Sequence, residues 1–335
     1  MDPIIGHSEI ISTFDRLVTT ERLGHAYVLV GPTGVGKATV ARWVAKRVLC
    51  ERVTHTSSPP PAPPLGEGEN WPCDQCEACA AVARGGHPDV SILRADGAAI
   101  GIDAVREWTT ALSRTSLFAG WKVGIVEGAE SLTEEAANAC LKAIEEPTAK
   151  TLILLTATNR RAVLPTIASR CAMVACRRVP RAALEAALGE RGAASNEART
   201  IAETADGCPG AAMTLLENPE HRREAEELQQ AARAAISGFW TERLRRIDAL
   251  FRDRGSDRSA AAQSALRFIA AFRSFGHQQL RSTGSATPEF SRWMELLARA
   301  PDHLAANVNP RLLLETIVVT CPTEIPNDEF LISNQ

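Results

Sequence analysis

The chain has 335 residues, of which 45% are apolar, so it is long enough for two or three domains with buried cores. Its formal net charge of −3 excludes a strongly basic protein that binds nucleic acid by bulk electrostatics. No stretch approaches the ~20 apolar residues of a membrane span, and no basic-then-apolar signal sequence stands at the N-terminus, so we expect a soluble cytoplasmic protein.

The first motif in the chain is a glycine-rich turn between a predicted strand and a predicted helix. An apolar run at 28–30 leads into Gly31-Pro-Thr-Gly-Val-Gly-Lys37, and helical spacing follows. This context is typical of a P-loop, in which backbone N–H groups hold phosphates and the lysine reaches the outer ones. The alternative is a turn that only joins strand to helix. The predicted nucleotide-binding residues of this segment are Gly31, Thr33, Gly34, Gly36, Lys37 and Thr39.

The magnesium positions of this motif are altered. Ala38 stands where a P-loop has a Ser or Thr that holds Mg²⁺, and Thr39 lies one residue further along the helix. The third predicted strand, 121–126, ends in Glu127-Gly128, where a P-loop ATPase has Asp-Glu. Glu127 still offers a carboxylate to a metal, but Gly128 cannot act as a base. We therefore expect weakened ATP/Mg²⁺ binding and negligible hydrolysis by the isolated chain.

A candidate phosphate sensor follows the fourth predicted strand, 151–156. Thr158, in Ala157-Thr-Asn159, is a polar residue at the carboxyl end of that strand. A simple turn at the end of the strand is the alternative.

A cysteine module follows the P-loop helix. Cys73, Cys76 and Cys79 are spaced by two residues, and Cys50 at the end of the preceding helix supplies a fourth thiolate. This set predicts a closed, structural zinc site, with reduced thiols or an iron–sulfur cluster as alternatives. The Pro/Ser-rich segment 54–70 between them predicts a flexible surface insertion.

The order of the predicted elements divides the chain into three parts. Strands alternate with helices up to residue 178, which predicts an α/β domain with a parallel, doubly wound sheet. This domain, 1–178, contains the cysteine module at 50–79. The remainder is predicted to be helical, in a small unit at 179–218 and a second block at 219–335. In that block we expect Arg243, Arg245 and Arg246 to form a solvated helix face, with a DNA-binding patch as the alternative.

Several motifs together resemble one family, the delta-prime subunits of the bacterial DNA polymerase III clamp loader. Besides the P-loop and the cysteine module, the similar segments are His87-Pro-Asp89, Asn138-Ala-Cys-Leu-Lys-Ala-Ile-Glu-Glu-Pro147, Leu164-Pro-Thr-Ile-Ala-Ser-Arg-Cys171 and Asn307-Val-Asn-Pro310. The resemblance implies an AAA+ module with a small helical lid, followed by an all-α collar domain that oligomerises. It also implies a stator-like role in a heteropentamer with gamma/tau and delta subunits, in which ATP drives loading of the sliding clamp onto primed DNA.

The same resemblance implies a role for Arg170, in Ser169-Arg-Cys171, as an arginine finger that acts in trans on a neighbouring ATPase subunit. An arginine paired with a surface carboxylate is the alternative. The related gamma/tau motor shares the cysteine module, but it carries a lid arginine where this chain has Gly210. The remaining functional alternatives are a gamma/tau-type motor, an autonomous P-loop ATPase and a zinc-stabilised interaction module outside replication.

Overall fold

A computed structural model describes residues 4–51, 72–95, 99–116, 120–252, 258–283, 287–305 and 308–322. The predicted surface insertion at 54–70 lies outside these residues. Among the helices described, none combines the length and the apolar character that crossing a membrane requires. The chain forms two compact units, one of residues 1–191 with 207–211 and the other of residues 192–206 with 212–335.

The first unit contains a five-stranded parallel sheet. Its strands are β1 (Ala26–Val30), β2 (Val90–Arg94), β3 (Lys122–Glu127), β4 (Thr151–Ala157) and β5 (Ala172–Ala175). Their order across the sheet is β2-β3-β4-β1-β5, so β1, which leads into the P-loop, lies between β4 and β5. The predicted parallel sheet is confirmed.

Helices cover both faces of this sheet. Those of the first unit are α1 (Ser8–Thr19), α2 (Lys37–Leu49), α3 (Glu77–Ala83), α4 (Ile102–Ser113), α5 (Glu134–Glu145), α6 (Pro165–Ala168) and α7 (Arg181–Glu190). Side chains alternate along each strand, so Val28 packs in the core under α4 and α5, while Leu29 packs in the core with α1 and α2. Both side chains are fully buried. Three layers of this kind leave the ends of the strands accessible for a binding site.

The second unit is helical throughout its described residues. It contains α8 (Ser195–Thr204) and most of α9 (Pro209–Glu217), then α10 (Pro219–Ile236), α11 (Trp240–Arg252), α12 (Arg258–Thr283), α13 (Pro288–Ala305) and α14 (Pro310–Thr320). Trp293 is 1% exposed in its core, and its indole Nε1 donates to the carbonyl of Ile317 at 2.8 Å. The helical C-terminal region predicted from the sequence is confirmed. The proposed lid, 179–218, contributes residues to both units, and its boundaries remain a prediction.

One prediction for the helical region was wrong. Arg243 does not belong to a solvated face, because it is 4% exposed. Its guanidinium donates to the carbonyls of Gly238, Val318 and Cys321 at 2.9–3.0 Å. Arg243 therefore ties the start of α11 to the end of α14, whereas Arg245 and Arg246 are exposed as predicted.

Candidate functional site

The P-loop connects the end of β1 to the start of α2. Gly34 and Gly36 have φ angles of 77° and 107°, which glycine adopts without the steric cost that other residues meet. This backbone path brings the chain from the sheet edge directly into the N-terminus of α2, where unpaired N–H groups and the helix dipole favour an anion. The segment thus has the geometry of a phosphate-binding loop.

Lys37 is folded over this loop. Its ammonium Nζ donates to the carbonyl oxygens of Gly31 at 2.6 Å and Pro32 at 2.9 Å. Burial lowers the pKa of Lys37, and the nearby groups of Glu130, Cys176 and Cys208 oppose this shift. The ammonium of Lys37 is therefore held by its own loop, and its contact with a phosphate remains a prediction.

The segment 207–211 packs directly on the P-loop. The backbone N–H of Gly210 donates to the carbonyl of Gly34 at 2.7 Å. A Cβ atom at Gly210 would lie 3.0 Å from that carbonyl oxygen, tighter than nearly all real Cβ contacts. A side chain at position 210 would thus press on the backbone of the P-loop.

The carboxylate at the end of β3 has protein cations beside it. Glu127 pairs with the guanidinium of Arg42, which lies on α2, and its second oxygen is 3.8 Å from Nε of Arg94 at the end of β2. Gly128 follows with a backbone N–H that donates to Oγ1 of Thr156 at 2.9 Å. Glu127 therefore serves in an ion-pair network at the place where an ATPase orients Mg²⁺. Its role as a metal ligand remains a prediction.

Thr158 lies at the same edge of the sheet as the P-loop. Ala157 of β4 pairs with Val30 of β1, so the residues that follow the two strands are neighbours. The N–H of Gly31 donates to the carbonyl of Ala157 at 3.1 Å. The structure brings the P-loop, Glu127 and the half-buried Thr158 to the carboxyl edge, the usual location of ligands in open α/β sheets.

Four cysteines form a compact cluster beside α2. The Sγ atoms of Cys50, Cys73, Cys76 and Cys79 all lie within 4.8 Å of one another. A tetrahedral zinc site with Zn–S bonds of about 2.3 Å places its sulfurs about 3.8 Å apart, so the donor set fits this metal. The adjacent Cys50 thiol and burial raise the pKa of Cys79, an effect that a bound cation would oppose. The arrangement supplies four ligands of one chemical type and leaves no open position.

Local structure joins this cluster to the P-loop helix. Cys50 is the residue that ends α2, and Cys76 caps α3 by accepting from the N–H of Cys79 at 3.4 Å. Cys79 lies within the first turn of α3. Lys46 on α2, 2% exposed, pairs with Asp74 between the cysteines. The module is therefore anchored to the same helix that begins at the P-loop.

Arg170 lies in the connection between α6 and β5. Its Nη1 donates to the carbonyl of Thr166 at 3.1 Å and to Oγ of Ser169 at 3.2 Å, and its Nε pairs with Glu145 at the end of α5. Cys171, the third residue of the motif, is 9% exposed and packs in the core with Cys140. The three residues of this motif thus have distinct roles. Ser169 accepts a hydrogen bond from Arg170, the guanidinium of Arg170 is exposed, and Cys171 packs in the core.

Arg170 and the P-loop are at opposite edges of the sheet. In the register of the parallel pair β1 and β5, Tyr27 lies beside Ala172 and Val30 beside Ala175. Arg170 precedes β5, so it is at the amino edge, whereas Gly31 follows β1 at the carboxyl edge. At about 3.3 Å per residue, the strand alone separates the two edges by more than about 13 Å. The guanidinium of Arg170 therefore does not belong to the phosphate site of its own chain.

Comparison with known proteins gives consistent matches. Residues 6–180 match the model of a family described as DNA polymerase III, delta subunit. The chain is 38% identical over 154 residues to DNA polymerase III subunit delta-prime of Pseudomonas aeruginosa, covering 45% of this chain and 43% of the relative. It is 29% identical over 233 residues to the delta-prime subunit of Escherichia coli, covering 68% and 66% respectively. A Bacillus subtilis DNA polymerase III subunit tau is 30% identical over 171 residues, covering 51% of this chain and 28% of that protein. The aligned part thus spans less than two thirds of each relative's length.

Proposed function

The chain belongs to the family described as DNA polymerase III, delta subunit, and on that premise we propose that it is a delta-prime, stator-like subunit of a clamp loader. In this role it completes a ring with gamma/tau and delta subunits in the cytoplasm. The ring loads a sliding clamp onto primed DNA, and ATP hydrolysis takes place in the neighbouring subunits. This chain has a structural role in the ring. It also supplies Arg170 as an arginine finger that acts in trans on a neighbouring subunit.

The observation that carries this proposal is the contrast between the two edges of the sheet. At the carboxyl edge, Ala38 offers no hydroxyl to Mg²⁺ and Glu127 is paired with Arg42. At the amino edge, Arg170 is 42% exposed and held by contacts from two helices. Arg170 lies at the edge opposite its own phosphate site, so it is available to the phosphate of a neighbour, where a guanidinium stabilises the charge of the transition state.

The cysteine cluster and the P-loop suggest the proposed cofactors, zinc and ATP. Zinc bound by Cys50, Cys73, Cys76 and Cys79 has a structural role, because four thiolates complete its tetrahedral coordination. ATP, if bound, is held by Gly31, Thr33, Gly34, Gly36, Lys37 and Thr39, with Thr158 as the sensor of its outer phosphate. Those residues supply phosphate contacts without the groups that catalyse hydrolysis.

Reconstitution with partner subunits tests the proposal. Tagged chain is mixed with gamma/tau and delta subunits and with the clamp, and ring assembly, ATPase activity and clamp loading on primed DNA are measured. We expect stable assembly and a loss of loading when this chain is omitted. A motor of the gamma/tau type, suggested by the match to tau, would instead hydrolyse ATP without partners. Failure to assemble with either partner would refute the proposal.

A further inference from the structure

Glu145 is the carboxylate that meets Arg170 at the amino edge. It is the last residue of α5, and its Oε1 pairs with Nε of the guanidinium. The side chains of both residues are exposed to a similar extent, at 44% for Glu145 and 42% for Arg170. A pair as exposed as this contributes little to the stability of the fold. We therefore consider how the ion pair affects the position of the Arg170 side chain.

Contacts on two sides fix the plane of this guanidinium. Glu145 holds the Nε side, while the carbonyl of Thr166 and the hydroxyl of Ser169 hold Nη1. Ser169 is itself fixed, because its Oγ donates to the carbonyl of Thr166 at 3.0 Å. A guanidinium has five N–H donors, more than these three contacts use. Within the part of the chain that the structure describes, the group is thus oriented without being saturated.

We propose that Glu145 is a positioning residue that orients Arg170 toward the phosphate of the neighbouring subunit. The inference rests on the proposed function, since it needs Arg170 to act in trans. Arginine has a long, flexible side chain, and an unrestrained guanidinium samples many orientations. The rate of the catalysed step falls steeply when a group is misplaced by about 1 Å. The contact with Glu145 can therefore change the rate of hydrolysis strongly even though it adds little to the stability of the fold. The carboxylate acts on orientation and does not itself contact the nucleotide.

The test uses the reconstituted loader with substitutions in this chain only. In a loader whose other ATPase sites are inactivated, Glu145→Ala is expected to lower the kcat of clamp- and DNA-stimulated ATPase activity at the adjacent site by roughly tenfold. The KM for ATP should change less than about twofold. Glu145→Gln keeps an acceptor oxygen near Nε and is expected to restore activity to within about threefold of wild type. Thermal unfolding and ring assembly should match wild type for both variants, because the side chain is exposed.

Two further variants separate the inference from its premise. Glu146→Ala removes the same charge from the next residue, and we expect wild-type activity from it. Arg170→Ala is expected to lower kcat more than Glu145→Ala does. If Arg170→Ala loses activity and Glu145→Ala does not, the positioning role is refuted and the finger stands. A kcat above wild type in Glu145→Ala would also refute it, because it would show that Glu145 sequesters the arginine. Wild-type activity in Arg170→Ala would refute the premise itself.

Discussion

Glu127 and Arg42 form an ion pair that joins the end of β3 to the P-loop helix. Arg94 approaches the second oxygen of the same carboxylate at 3.8 Å. Related ATPases use this strand end to orient Mg²⁺ beside the nucleotide. Here guanidinium groups neutralise the carboxylate, and Ala38 removes the hydroxyl that would hold the metal from the other side. We therefore expect the site to bind phosphate more strongly than it binds magnesium.

This pairing predicts that nucleotide binding is independent of magnesium. The affinity of the isolated chain for a fluorescent ATP analogue should differ less than about threefold between Mg²⁺ and EDTA, because Ala38 lacks a hydroxyl and Glu127 is paired with Arg42. Fluorescence anisotropy measures this, and Lys37→Ala serves as the control that removes a phosphate contact. A tenfold or greater gain in affinity with Mg²⁺ would contradict the account.

The altered residues Ala38 and Gly128 predict that the isolated chain does not hydrolyse ATP. Gly128 provides no carboxylate to activate water, and removal of such groups abolishes most of the rate. Steady-state phosphate release at saturating ATP should not exceed that of Lys37→Ala. Turnover that Lys37→Ala abolishes would favour the motor alternative.

A third prediction concerns the cysteine cluster. Metal analysis of the purified protein should give one zinc per chain, and Cys76→Ser should lower stability or yield insoluble protein, since binding of a structural zinc stabilises the fold. Thermal unfolding with and without a chelator measures the effect. Full stability after removal of all metal would contradict it.

Alkylation provides the control for the zinc prediction. The other five of the nine cysteines are buried, and burial raises the pKa of Cys140 to about 12 and that of Cys176 to about 11. At pH 8 a thiol with a pKa near 11 is about one part in a thousand thiolate, and the thiolate is the reactive form. A chelator should therefore expose Cys73 and Cys76, the two partly exposed cysteines of the cluster, to labelling in the native state, while the five buried cysteines outside it stay unlabelled.

A fourth prediction tests the packing of Gly210 on the P-loop. Gly210→Arg should lower the free energy of unfolding by about 1–3 kcal/mol, because its Cβ is forced against the carbonyl of Gly34. Gly189→Arg is the matched control, since a Cβ there meets no atom within 4 Å and the residue lies exposed in α7. That control should be neutral or stabilising by up to about 1 kcal/mol. Chemical denaturation distinguishes the two, and equal stability of both variants would contradict the packing.

The sequence was sufficient to predict the regular parts of the fold. Apolar runs, the P-loop turn and the alternation of strands with helices predicted the parallel sheet, and the cysteine spacing predicted the cluster. These features depend on local periodicity and short motifs, which are readable without knowledge of tertiary contacts.

Pairings between distant residues could not be predicted in the same way. Arg42 and Glu127 are 85 residues apart, and nothing in the local pattern links them. Arg243 shows the same limit, because arginine is a residue type typical of exposed positions, while carbonyls 75 and 78 residues away accept hydrogen bonds from its guanidinium. In the sequence, Glu145 stands out only as part of the segment 138–147, which resembles the delta-prime family. Its contact with Arg170 depends on how α5 and α6 meet at the amino edge.

A single substitution in a reconstituted loader shows whether Arg170 acts on a neighbouring subunit. A reconstituted loader carrying only Arg170→Ala in this chain is assayed for ATPase activity stimulated by clamp and primed DNA, beside a loader carrying Arg106→Ala. Arg106 is an exposed arginine paired with Asp103 on α4, so its removal makes a comparable change elsewhere. Arginine fingers contribute about 10³- to 10⁵-fold in rate, so hydrolysis at the single adjacent site should be nearly abolished while assembly and zinc content stay unchanged. Stimulated ATPase activity and clamp loading equal to those of the Arg106→Ala loader would contradict the claim and leave this chain an architectural subunit.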